Sequence, residues 1–130
     1  VDLFFAQHAL FREQIARVAS AKRSLVIVFT DLLDAAAARP LLAAVPVLVR
    51  RHAVLVAGTN DPDLVEAVTR PPSSRRALLE AGVATEILAE RDQVRSRLAG
   101  VGAVVVDAPV ERLATRCVSA YLQLKSTARI

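Results

Sequence analysis

The sequence has no methionine and no tryptophan, one cysteine, four glycines and only 4% aromatic residues. The lone Cys117 excludes an intrachain disulfide framework and a multi-cysteine zinc site. There is no Gly-rich phosphate loop, no G-x-S-x-G elbow and no H-E-x-x-H helix. His8 and His52 lie too far apart in the chain for a metal-ligand spacing. His8 reads as an exposed helix residue and His52 as a helix-terminal one suited to the dipole. The aromatics Phe4, Phe5, Phe11, Phe29 and Tyr121 are not interleaved with basic residues, so no base-stacking platform is offered. No apolar run reaches the roughly 18 to 20 residues of a spanning helix. The longest, Pro40 to Val49, is too short, and no secretory signal pattern opens the chain. A cytoplasmic, reducing setting is the expectation. The missing methionine and the start at Val1 read as a processed or partial product.

The chain of 130 residues suits one domain, over residues 1–130, large enough to bury a core without staples. With 54% hydrophobic and 23% charged residues it is not a disordered chain. Net charge is +4, carried almost wholly by arginine, with only Lys22 and Lys125 as lysines. The basic residues are scattered in pairs, so nucleic acid is not an expected partner. A basic surface for nucleic acid or anionic lipid is kept as an alternative.

Hydrophobic periodicity gives the layout. Residues Leu3 to Ala21 carry Phe4, Phe11, Ile15 and Val18 at helical spacing. Ser24 to Thr30, Ala53 to Ala57 and Ala103 to Val106 are short runs rich in β-branched residues, the pattern of strands buried on both faces. Between them lie a helix around Leu41 to Val49, interrupted by Pro46, then Pro62 to Thr69 and Ser74 to Ala99. On the last of these Leu78, Leu79, Val83, Ile87, Val94 and Leu98 are expected to face inward. Val110 to Ser126 closes the chain, with Leu113, Cys117, Tyr121 and Leu124 on one stripe. Alternation of this kind predicts an α/β fold of three layers: a parallel sheet of three strands with helices on both faces.

Each strand ends in acids: Thr30-Asp31 with Asp34, Asn60-Asp61 with Asp63, and Asp107. In a parallel sheet the carboxyl ends of the strands share one edge, where ligands bind in open α/β folds. Carboxylates gathered there would suit Mg²⁺, Ca²⁺ or Mn²⁺. Asp61 before Pro62 also suits a helix N-cap, and Asp107 before Pro109 looks similar. Both readings stand at those positions, and at Asp31 and Asp34. Cys117 on an inward stripe reads as a buried structural thiol.

Three ordered motifs carry a family resemblance. Arg23 and Ser24-Leu25-Val26-Ile27-Val28-Phe29-Thr30-Asp31-Leu32-Leu33-Asp34 resemble the motif R-S-L-V-V-L-F-T-D-L-L-D. Arg50 to Val56 followed by Asp61-Pro62 is similar to the next strand of the same family. Val105-Val106-Asp107-Ala108-Pro109, Leu113 and Tyr121 to Lys125 resemble its ending. This is family fifty-eight of the domains of unknown function, whose C-terminal part resembles a von Willebrand factor A domain, a Rossmann-like fold. The resemblance implies the C-terminal half of such a domain, with the D-x-S-x-S loop of its metal-ion-dependent adhesion site outside this sequence. Thr30 and Asp31 then correspond to the third loop of that site, with Leu32 in place of a common glycine. No cofactor is expected, and Mg²⁺ would be held only with the other half present.

The resemblance further implies a non-catalytic adaptor or co-chaperone for a MoxR-type AAA+ ATPase. It implies membrane anchoring only through segments outside this sequence, with the protein facing the cytoplasm. The alternative is a divalent-metal-dependent enzyme using Asp31 and Asp61. If the strand holding Leu25, Ile27 and Phe29 normally pairs with a strand of the other half, its edge is open here. A homodimer or swapped assembly over that edge is the expectation, unless the first helix covers it.

Overall fold

The computed structural model describes residues 2–5, 11–30 and 35–127. In chain order the elements are β1 (Asp2–Phe5), α1 (Phe11–Ala19), β2 (Leu25–Phe29), α2 (Ala35–Leu48) and β3 (Ala53–Thr59). They are followed by α3 (Pro62–Thr69), α4 (Arg75–Gly100), β4 (Val104–Ala108) and α5 (Val110–Ser126). The fold is α/β and every strand pairing is parallel. The three expected strands form the body of the sheet, and β1 adds a short fourth in the order β1-β2-β3-β4.

The first segment corrects the sequence reading. Among the described residues the helix spans Phe11–Ala19, and Asp2 to Phe5 instead pairs in register with Val26 to Phe29. Backbone donors and acceptors along β2 require partners, and a parallel neighbour satisfies them where a helix over the edge would not. Leu25, Ile27 and Phe29 therefore belong to an interior strand, between β1 and β3. The expected open edge, on which the assembly through β2 was argued, is occupied by the chain's own β1.

Strands in sequential order joined by right-handed crossovers must place the intervening helices on one face. The core obeys this. On one face Val26, Val28, Val54 and Val56 pack with Ile15 and Val18 of α1, Leu41, Val45 and Leu48 of α2, and Val94 and Leu98 of α4. On the other, Leu25, Leu55, Val106 and Ala108 meet Leu124 of α5, with Leu113, Cys117 and Tyr121 beside it. The strands alternate between the two cores, which is why they read as unbroken apolar runs. The stripe expected on α5 is the stripe that packs.

Helix α2 runs through both Pro40 and Pro46. An interior proline costs a helix about 3 kcal/mol. Leu41, Val45 and Leu48 are each wholly buried, and burial of such side chains returns about 1.5 to 3 kcal/mol apiece. Packing on the sheet thus outweighs the interruption. The turn from α4 into β4 uses Gly102 at φ 103, where a Cβ would lie 3.4 Å from a methyl of Val49.

His52, expected as a helix-terminal residue, follows α2 and donates its N–H to the Leu48 carbonyl at 2.9 Å, with its ring buried where the amino-terminal ends of β2 and β3 meet α1. Its Nδ1 accepts the Ser24 backbone N–H at 3.1 Å, and Nε2 donates to the Val18 carbonyl at 2.8 Å. That pair of bonds requires the neutral tautomer protonated at Nε2.

Candidate functional site

The carboxyl ends of the strands form the rim that the sequence marked out. Thr30 follows β2 and its N–H donates to the Ala57 carbonyl at 3.0 Å. Asn60 follows β3 and bonds the Ala108 carbonyl through its N–H at 3.1 Å. Asp107 stands on β4, level with Gly58. Asp31 and Asp34 lie outside the described residues. Thr30, Asn60 and Asp107 thus follow one another along neighbouring strands, as a parallel sheet requires.

The rim is not a free acidic surface. Helix α4 crosses it and delivers Arg91, which is 4% exposed. The Arg91 guanidinium donates to Asp107 Oδ1 at 2.9 Å and to the Thr59 carbonyl at 2.8 Å. Arg95, one turn further on, stands 3.9 Å from Asp107 Oδ2 and pairs with Asp92. Asp107 is therefore an ion-pair partner rather than a helix cap. The residue before α5 is Pro109, and no side chain caps that helix. Asp61 does cap: its Oδ1 accepts the Asp63 N–H at 2.9 Å and Pro62 opens α3 behind it. Ser74 caps α4 by accepting the Ala77 N–H at 3.0 Å.

These commitments decide the chemistry of the rim. A cation approaching Asp107 would meet two guanidinium groups. A cation approaching Asp61 would compete with a helix N-terminus, which carries partial positive charge. Among the described residues no three His, Cys, Asp or Glu side chains gather to hold a metal ion. The described rim therefore does not fit the divalent ion that an adhesion site would hold. Between α3, α4 and the end of β4 lies an open cleft of about 430 Å³, with Asn60, Val65, Leu88, Arg91, Arg95 and Asp107 on its walls. Its polar groups are largely paired with one another.

Arg91 is the residue that the sequence reading passed over. Its signal was present: Ile87, Arg91, Val94 and Leu98 share one helical stripe, so an arginine stood in a row of inward positions. A buried arginine needs an anion, and a strand-end aspartate was the natural partner.

The same stripe explains a second departure. Leu78, Leu79 and Val83 do not face inward; they are exposed. The first buried residue of α4 is Ala84. The first turns of the helix lie beside α3, which itself buries no residue. A shallow hollow of about 360 Å³ separates the two helices, walled by Leu64, Ala67, Leu79, Val83 and Ala84 with Asp63 and Glu80 at its border.

Cys117 is half-buried against α5's core contacts, and burial pushes its thiol above the ordinary value. It is a structural residue in an apolar setting. Among the described residues no helix is long and apolar enough to cross a membrane. No protein-family model, curated protein or solved structure matches the chain.

Proposed function

We propose that this chain is a non-catalytic protein-interaction domain, the C-terminal half of a von Willebrand factor A-like region, acting as an adaptor for a MoxR-type AAA+ ATPase. One observation carries the non-catalytic part of the reading. Asp107, the acid best placed on the described rim, is held by the buried Arg91. Asp61 is spent as a cap. General acid–base or metal chemistry needs carboxylates free to exchange protons or bind a cation, and these two are occupied by structural work. The adaptor part rests on the three motifs around Thr30-Asp31, Asp61-Pro62 and Asp107-Ala108-Pro109. The parallel order of β2, β3 and β4 agrees with it.

The test is binding. Immobilised chain is titrated with a MoxR-type ATPase by interferometry, with and without ATP. Saturable association at about micromolar strength is the expected result. Absence of binding with either nucleotide state overturns the adaptor assignment. Turnover of a phosphoester, ester or peptide substrate that disappears in Asp31→Ala overturns the non-catalytic one.

A further inference from the structure

We propose that the first three turns of α4 form a two-fold dimer face, on which a second copy of this chain packs its own α4 antiparallel. The motivating feature is local. Leu78, Leu79 and Val83 are 59%, 65% and 58% exposed. Further along, the solvent side of α4 is polar, with Glu86, Gln93, Ser96 and Arg97 exposed. So the apolar surface is a bounded patch, and its ends are charged with opposite sign.

That charge pattern selects the occupant. Arg75, Leu78, Leu79, Gly82, Val83 and Glu86 lie on one helical side. An antiparallel copy centred between Glu80 and Ala81 sets Arg75 against Glu86, Leu78 against Val83 and Leu79 against Gly82. By two-fold symmetry each contact occurs twice, as an isologous interface requires. Gly82 is exposed, and a Cβ there would meet nothing within 4 Å. It leaves a seat for the partner's leucine and lets the backbones approach.

Arg75 and Glu86 make no ion pair among the described residues. Arg75 also stands in the first turn of a helix that has no acid there, at the positive end of the dipole. A partner's Glu86 corrects that mismatch. The neighbouring Arg76 is already matched, by Glu80 at 3.1 Å.

The inference does not depend on the adaptor reading and uses a different surface from the rim. Three turns per copy make a small interface, so the dissociation constant is expected on the order of tens of micromolar. Light scattering across about 1 to 300 µM is expected to show the mass doubling. R75E and E86R are each expected to weaken the dimer about tenfold, because both symmetric contacts become like-charged. An equimolar mixture of the two variants is expected to restore it, because every contact again joins opposite charges. Gly82→Leu is expected to abolish it while leaving the circular dichroism of the monomer unchanged. A monomer throughout the range overturns the proposal, as does a dimer indifferent to R75E, or a mixture no tighter than its components.

Discussion

Replacing Arg91 with alanine would remove two bonds at once: 2.9 Å to Asp107 Oδ1 and 2.8 Å to the Thr59 carbonyl. The carboxylate left behind is itself largely buried, its side chain 14% exposed. Breaking a buried pair from one side costs about 3 to 5 kcal/mol, since the remaining charge stays desolvated. Arg95, at 3.9 Å and half exposed, can swing closer and recover part of this, so about 3 kcal/mol is expected. With a urea slope of about 1.5 kcal/mol/M, the unfolding midpoint falls by about 2 M. Circular dichroism in urea measures it directly.

The control is the double variant R91M/D107L, which removes both charges and fills the space with apolar atoms. It is expected within about 1 kcal/mol of the wild type, because a buried pair gains little over a well-packed apolar one. The cycle completed by the single variants R91M and D107L then gives the coupling. A midpoint lowered by less than about 0.5 M in R91A would refute the reasoning. It would show that Asp107 is satisfied without Arg91 and remains free for other chemistry.

His52→Ala leaves the Ser24 N–H without its acceptor and the Val18 carbonyl without its donor. A loss of about 3 kcal/mol follows, or about 10 °C in a thermal melt, and an unchanged melt would count against the buried bridge. Because burial raises the Cys117 thiol, less of it is thiolate at neutral pH than in a free cysteine. Its labelling by a disulfide reagent is expected at least about tenfold slower in the native protein than in urea, and equal rates would disprove the structural assignment.

The layout was legible wherever period and punctuation agreed. Pro62 to Thr69 and Val110 to Ser126 have the bounds read from the sequence, because Asp61-Pro62, Arg70-Pro71 and Pro109 punctuate them. Asp61 was legible as a cap for the same reason. The rim through Thr30, Asn60 and Asp107 was legible because parallel strands all end at one edge.

Pairing was not legible. Leu3-Phe4-Phe5 fits a helix or a strand equally well over so short a span, and only the need of β2 for a neighbour decides between them. Nor was the seat of each side chain on α4. The helix is 26 residues long, far longer than the sheet edge it crosses, so its apolar positions could not all be inward. The sequence by itself determined the α/β class, the strands β2 to β4 and the edge at which they end together, because those depend on local period and chain direction. Tertiary structure alone decided that Arg91 neutralises Asp107 and that Leu78, Leu79 and Val83 stay in solvent. Both follow from where α4 lies across the sheet, and a helix's own periodicity does not fix that.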